Sequence, residues 1–430
     1  MRLAIVALNA YPAIVPHAGN AVGGLETFAW SLARTLARDP ALHVQFVVRH
    51  TSPPSQRVVD GVELLCDVEP LRAIRREVSQ AVEPTSGFPW MRVKRFRPGL
   101  LWQVPLLALA KLAGPRLSMA TRIEALLQFA KPDVVLALGV GEGSAAAVQA
   151  ARKIGLRVWF WVRSNSDLDE RFLSDANYVD PNGVTSTEAR AAFQADGILC
   201  QTQWQRDRVQ QFLNRDSVVI PNPVDAERFP IGEAFPEARK EVLWIGRYDL
   251  LYKRPHLALE VARLCPAIPF HCIINPGDPA IEQSIRSRCP PNVRITDYVP
   301  RDSMPEVFRA ARLFCFTGSD ALEGFPNVLL EAASSGTPIV SLEEFDHFLK
   351  PSNAGVHAGH DVARLAALIR ELWEMPPAWH AHSQAGAEYV RREHTLDQCV
   401  RRFCDALRGS RVEDSERHAR PESEVENEPR

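Results

Sequence analysis

The stretch Glu323-Gly324-Phe325-Pro326-Asn327-Val328-Leu329-Leu330-Glu331 decides how the rest of this chain is read. Two carboxylates stand eight positions apart, with a Gly-Phe-Pro-Asn turn between them and an apolar run after it. The spacing predicts Glu323 on a loop and Glu331 two turns into a following helix, at about 3.6 residues per turn. A loop that ends at a helix N-terminus offers unpaired backbone N–H groups and the positive end of a dipole, which suits a phosphate. A carboxylate on each side can accept hydrogen bonds from sugar hydroxyls. The segment therefore reads as a seat for a sugar nucleotide. The same spacing also describes an ordinary strand-to-helix connection with two solvated glutamates, and other segments must decide between them.

The chain has 430 residues, 46% apolar and 24% charged, with a formal net charge of −2. That length predicts two or three domains, and the composition is that of a soluble globular enzyme. Nothing in the global charge calls for nucleic acid. The opening run Met1–Leu8 breaks at Asn9 and reads as a first β-strand rather than a signal peptide. No apolar run approaches the roughly 20 residues needed to span a bilayer. The cysteines at 66, 200, 265, 272, 289, 315, 399 and 404 form no CxxC pair. Buried free thiols in a reducing, cytoplasmic setting are expected from them, not disulfides or zinc.

Short β-like runs alternate with helical patterns. The first half offers Leu3–Leu8, Val44–Val48, Val134–Leu138, Val158–Val162, Ile198–Gln201 and Val218–Ile220. Between the first two, Leu25, Phe28, Ala29, Leu32, Ala33 and Leu36 make an i, i+3, i+4, i+7 stripe. The second half offers Val242–Ile245, Phe270–Ile274, Val293–Ile295, Leu313–Phe316 and Pro338–Ser341. This alternation predicts α/β architecture with parallel sheets covered by helices on both faces. The expected break is Pro221-Asn222-Pro223-Val224-Asp225, where two prolines interrupt any helix. Two doubly wound domains would face a cleft lined by the C-terminal edges of their strands. Leu396, Cys399, Val400, Phe403, Cys404 and Leu407 form a last helical stripe, opened by a capping box Thr395…Gln398. Residues 409–430 read as a disordered, charge-rich tail.

Gly246-Arg247 follows the apolar run 242–245, and Lys253 comes six residues later. A strand ending in Gly-Arg, with Lys on the next loop, puts two cations at a sheet's C-terminal edge. Arginine grips a phosphate bidentately and lysine acts as a point charge. Near the N-terminus, Gly23-Gly24-Leu25-Glu26 opens the first helix and leaves its N-terminus open to an anion.

Gly23-Gly24-Leu25-Glu26, Ile220-Pro221-Asn222-Pro223-Val224-Asp225, Gly246-Arg247…Lys253 and Glu323-(x7)-Glu331 occur in this order and spacing. Together they resemble the family 4 (group 1) retaining glycosyltransferases of the GT-B fold, over most of residues 1–408. The resemblance implies two Rossmann-like domains: an acceptor-side domain over 1–221, with a returning helix at 382–408, and a donor-binding domain over 222–381. It implies hexosyl transfer from an NDP-sugar to a hydroxyl acceptor, with retention of anomeric configuration and no cofactor or metal, since Arg247 and Lys253 would neutralise the diphosphate. Glu323 and the backbone of Phe325, Pro326 and Asn327 would face the donor sugar, and the Val328 N–H a phosphate. Glu331 would bind the ribose hydroxyls, Tyr298 and Val299 would flank the base, and Gly23 and Gly24 would lie under the phosphates.

One departure stands out. Family members often carry a histidine just after the strand corresponding to Val158–Val162, and here Arg163 and Asn165 occupy that neighbourhood. Arg163 brings positive charge for a leaving group or an acidic acceptor, but cannot act as a base at neutral pH. A catalytically inactive sugar-nucleotide-binding homologue therefore stays open as a second reading. Asp167-Leu168-Asp169 matches a metal–nucleotide Asp-x-Asp, but a pair this short arises readily by chance and lies in the first half, away from the other phosphate candidates, so no metal is expected there. Gly139-Val140-Gly141-Glu142-Gly143 partly matches a dinucleotide loop, with Ser144 where the third glycine should be, so an NADP-dependent reductase is the rival enzyme class. His357, His360, His380 and His382 lie in two short pairs that suit surface or capping roles better than zinc. Trp90, Arg92, Lys94, Arg95, Phe96, Arg97 and Trp102 form a basic-aromatic stretch. Residues 90–102 offer a peripheral contact with an anionic membrane surface, or pack as a helical excursion on their own domain.

Overall fold

A computed structural model describes residues 1–15, 23–85, 87, 91–112, 117–232 and 236–418. The chain divides into two compact units: residues 1–199 with 209–217, and residues 200–208 with 218–430. The last helices, including residues 382–408, group with the second unit.

In the first unit the strands run in the order Gly197–Cys200, Arg157–Trp161, Val134–Leu138, Arg2–Val6, His43–His50, Val62–Val68 and Val58–Val59. All neighbours are parallel except the short edge strand Val58–Val59. The predicted stripe forms the helix Gly24–Leu36, which buries Phe28, Ala29, Leu32, Ala33 and Leu36. Strand Arg2–Val6 lies between Val134–Leu138 and His43–His50. The loops that leave the first two therefore diverge, one toward Gly23-Gly24 and the other toward Gly139. In doubly wound sheets this reversal of strand order opens a crevice for a ligand.

The second unit repeats the principle with six parallel strands: Val293–Thr296, Phe270–Asn275, Glu241–Arg247, Ala311–Phe316, Ile339–Ser341 and Gly355–His357. Both faces are buried, as continuous apolar strands require. Val242, Trp244, Cys272, Ile274, Leu313 and Cys315 pack against helices Pro255–Leu264 and Val362–Glu374. Leu243, Ile273, Phe314 and Phe316 pack the other way, with Phe308, Leu329, Leu330 and Val390. Here the order reverses between Glu241–Arg247 and Ala311–Phe316. The loops leaving these two central strands are 248–254 and 317–326, the two segments singled out from the sequence.

The predicted strands form within a residue or two of their expected ends. Four pieces went unread: Val58–Val59, Val62–Val68, the hairpin Val82–Pro84 with Met91–Val93, and Gly355–His357. The last helix runs Leu396–His418, so its backbone is helical through the first part of the expected tail, and residues 419–430 lie outside the described residues. Its capping box is only half made. Thr395 Oγ1 accepts from the Gln398 N–H at 3.2 Å, while the Gln398 side chain turns to the Arg392 carbonyl. All eight cysteines are free thiols, six of them buried.

Candidate functional site

Strand Glu241–Arg247 delivers Arg247 to the sheet edge because Gly246 precedes it. A side chain at Gly246 would place its Cβ 2.4 Å from the Trp244 ring. Trp244 is itself fixed, its Nε1 donating to Thr317 Oγ1 at 2.9 Å. Thr317 Oγ1 in turn lies 2.9 Å from the Lys253 carbonyl. The Ser319 N–H donates to the Tyr252 carbonyl at 2.9 Å, and the Arg254 Nε to the Thr317 carbonyl at 2.6 Å. The two loops are thus stitched together through one another's backbone carbonyls, which sets the side chains they carry.

The main result of that stitching is an ion pair between Lys253 Nζ and Glu323 Oε2, seventy positions apart in sequence. Glu323 is buried, and its second oxygen, Oε1, has no hydrogen-bond partner among the described residues. Burial pushes its carboxyl above the usual carboxylate range, while Lys253 and then Arg247 pull it back. Arg247 is half exposed and turns onto Asp249, at 2.8 Å. Asp249 also accepts the N–H groups of Leu251 and Tyr252, so it shapes the loop that carries Lys253.

Helix Asn327–Ser334 begins at Pro326, and no side chain caps it. The Leu329 N–H is used by the Pro326 carbonyl at 3.1 Å. The N–H groups of Asn327 and Val328 make no hydrogen bond among the described residues. Two donors at the positive end of the dipole are therefore available. Glu331 is the fifth residue of this helix, just past its first turn rather than two turns in. Its pKa is pushed up to about 7 by burial, against the pull of Arg301 and Arg228. Arg301 comes two residues after Val299, so that loop lies on the Glu331 side. Tyr298 is exposed and Val299 packs on the core.

The raised pKa of Glu331 gives stability a pH dependence opposite to that of an ordinary paired carboxylate. The native carboxyl keeps its proton up to about 7, whereas the ordinary value is 4.5. Between those values the native state binds more protons, so this group's contribution falls as pH rises through the window and stays low above it. The melting temperature of Glu331→Gln relative to wild type should therefore climb from pH 5 to pH 8. A flat difference between the two proteins would contradict this.

Sequence reasoning missed three supports. Asn222, in the segment read as a linker, is fully buried and braces the loop. Its Nδ2 donates to the Phe325 carbonyl at 2.9 Å and to Asn327 Oδ1 at 2.8 Å, while its Oδ1 accepts from Gln201 at 2.9 Å. His394 donates from Nδ1 to the Asn222 carbonyl at 2.8 Å and stacks on the Phe325 ring at 6.0 Å. The Phe325 side chain is thus core, leaving only its backbone for a ligand. Behind Lys253, Arg254 pairs with buried Glu343 at 2.6 Å. Asp320, whose N–H donates to Glu343 at 2.7 Å, has its pKa raised to about 6 by burial and by that neighbouring carboxylate. The third support is Gly318. A Cβ there would lie 2.6 Å from Glu323 Oε1 and 2.4 Å from the Phe316 ring. Gly318→Ala should displace Glu323 and cut turnover about tenfold, since a misplacement of about 1 Å can cost up to a hundredfold. Wild-type kcat in this variant would exclude a role for Glu323 placement.

In the first unit, Gly23 caps helix Gly24–Leu36, and a Cβ on it would clash with the Glu26 carboxylate at 2.4 Å. Gly139 has φ +61, and a Cβ added there would lie 3.0 Å from Leu25 Cδ1 and 3.6 Å from the Arg163 side chain. The helix start, the glycine loop and Arg163 therefore meet at the crevice of that sheet. The Arg163 guanidinium lies 3.8 Å over the Phe28 ring, and Asn165 opens the short 3-10 turn Asn165–Leu168. The Asp-x-Asp pair has other work. Asp167 is buried and accepts the N–H groups of Arg163 and Ser164 at 2.8 and 3.0 Å, and Asp169 pairs with Arg171 and accepts from Tyr178. No cluster of metal-ligating side chains occurs among the described residues. His360 and His357 face Glu343 and Glu344, and His382 bonds the Asn353 carbonyl.

Residues 22–228 match the family model described as Glycosyltransferase Family 4, and residues 239–375 the one described as Glycosyl transferases group 1. No curated protein sequence gives a significant match. Among solved structures, the sucrose-phosphate synthase of Thermosynechococcus elongatus superposes with a TM-score of 0.67 at 14% identity, covering 96% of this chain and 99% of that one. Anabaena HepE in complex with UDP and glucose gives 0.64 at 13%, covering 95% and 100%. A TarM variant from S. aureus, with UDP bound, gives 0.63 at 12%, covering 94% and 99%. At such identities these structures attest the two-domain fold alone.

Proposed function

Since this chain belongs to the group 1, family 4 glycosyltransferases and has their GT-B fold, we propose that it moves a hexosyl group from an NDP-sugar to a hydroxyl acceptor with retention of configuration. The observation that carries this reading is the convergence of Lys253, Glu323 and the uncapped start of helix Asn327–Ser334 at the edge of the two central strands. Residues 222–381 hold the donor on this reading, and residues 1–221 the acceptor, in the cytoplasm.

The chemistry follows from charge. Breaking the anomeric C–O bond builds positive character on the sugar and negative charge on the diphosphate. Lys253 and the Asn327 and Val328 N–H groups meet that negative charge without having to reorganise, and Arg247 joins them by changing partner. Arg247 exchanges Asp249 for a phosphate oxygen, and the flexible guanidinium makes that exchange easy because it is solvent-exposed. The unpartnered Glu323 Oε1 accepts a hydroxyl of the donor sugar. Glu331 accepts the ribose hydroxyls, and Tyr298 with Val299 flanks the base. Phe325 and Pro326 contribute backbone only. Within the first unit, Gly23 and Gly24 leave a helix start open to an anion, and Arg163 and Asn165 stand on the acceptor side.

A thermal-shift screen of UDP-, GDP-, ADP- and TDP-sugars identifies the donor. Release of the matching nucleoside diphosphate then tests turnover, and the anomeric proton coupling of the product tests retention. Protection by a sugar nucleotide without any release, across a panel of hydroxyl acceptors and water, would leave a binding protein and overturn the enzymatic reading.

A further inference from the structure

Helix Leu100–Leu112 turns its apolar residues outward. Leu101, Trp102, Pro105, Ala108 and Leu109 are all exposed, and their spacing puts them on one helical face. Leu101 is 71% exposed, Trp102 55% and Leu109 64%. The side that packs inward holds Leu100 and Gln103, whose amide donates to Glu77 at 2.6 Å. A water-soluble surface helix shows the reverse pattern. The hairpin that precedes it in sequence also exposes Met91 and Val93, and Phe96, between hairpin and helix, is 66% exposed. Single exposed apolar side chains are ordinary, but a contiguous patch marks a docking surface.

Charge identifies the occupant. From residue 91 to 112 the chain carries Arg92, Lys94, Arg95, Arg97 and Lys111 and no carboxylate at all. Glu83 partly neutralises Lys94, at 2.9 Å, and Arg92 at 4.0 Å, while Arg95, Arg97 and Lys111 have no carboxylate partner among the described residues. A second copy of the chain docked through the same face would set five cations against five. We propose that this face binds the surface of an anionic lipid bilayer. The stripe of Leu101, Trp102 and Leu109 enters the boundary between headgroups and acyl chains, where aromatic side chains also settle. The cations of residues 92–97 meet lipid phosphates. Trp90 lies outside the described residues. No helix among the described residues is long and apolar enough to cross a membrane, so the contact is a peripheral one. The inference does not depend on which sugar or acceptor the enzyme uses.

Flotation of the full chain with extruded vesicles tests it. The protein should float with phosphatidylcholine vesicles containing phosphatidylglycerol and bind pure phosphatidylcholine at least tenfold more weakly. Leu101→Asp combined with Leu109→Asp should lose binding at least tenfold while keeping the wild-type melting temperature, because both residues are exposed. Arg92→Ser, Arg95→Ser and Arg97→Ser together should abolish the preference for anionic vesicles and the weakening by salt. The proposal is overturned if the wild-type chain stays unfloated or if the Asp variant binds as well as wild type. It is equally overturned if sedimentation equilibrium shows a dimer that the Asp variant converts to monomer, since a second copy is then the occupant.

Discussion

Replacing Lys253 by alanine is expected to lower kcat about a hundredfold, the typical cost of removing one preorganised donor from a developing anion. The variant also strips Glu323 of its ion-pair partner. Glu323 already has its pKa raised by burial with the lysine present, so without it the carboxyl takes up a proton at higher pH still. Loss of activity could then reflect a disturbed loop instead of a missing cation. A second substitution separates the two causes. Glu323→Gln in the Lys253→Ala background removes the isolated carboxyl and should recover most of the lost melting temperature. Turnover should not recover with it. Steady-state kinetics with a saturating donor make the comparison, and a double variant with wild-type kcat would remove Lys253 from the chemistry.

The second large effect is expected at Asn222. Asn222→Ala deletes three side-chain hydrogen bonds, two of them fully buried, and takes one partner each from the Gln201 amide and the Phe325 carbonyl. A buried polar group left unsatisfied costs on the order of 1–3 kcal/mol, so a loss of about 3 kcal/mol is expected for the variant. Chemical denaturation followed by tryptophan fluorescence measures it. Function should suffer through KM for the donor as well as through stability, because Asn222 positions both the Phe325 carbonyl and the first residue of helix Asn327–Ser334. A variant of unchanged stability would show that the prolines around it, not its side chain, fix this segment.

The contrast between Lys253 and Asn222 shows what a sequence of this kind discloses. Strand-helix alternation disclosed two parallel sheets, because strands buried on both faces are continuous apolar runs and their connections are helices of regular period. The Glu323–Glu331 loop was legible because a turn followed by an apolar period specifies a helix start locally. Arg247 and Lys253 were legible as cations at a strand end. That Lys253 would meet Glu323 depended on the reversal of strand order, which no local pattern encodes. Asn222 stayed hidden for the same reason. Its partners lie at positions 201, 325, 327 and 394, and its flanking prolines signal a linker more strongly than a brace. The Asp167-Leu168-Asp169 pair, too short a match to outweigh chance, has a local explanation of its own. Ser164 stands three residues before Asp167, the spacing of a capping box, and that local signal would have assigned the carboxylate to backbone N–H groups.

The tie between His394 and the donor loop has a consequence for how the protein is made. Burial holds the His394 imidazole below its ordinary pKa, so the ring is neutral as it lies against Phe325, and the residue also supplies the carbonyl that receives the Val224 N–H at 2.7 Å. Ribosomal synthesis delivers Phe325 well before this clasp. In a nascent chain the 317–326 loop is therefore clasped only after residue 394 has emerged. Carboxy-terminal truncations that stop short of residue 394 should give folded strands with an unfastened loop.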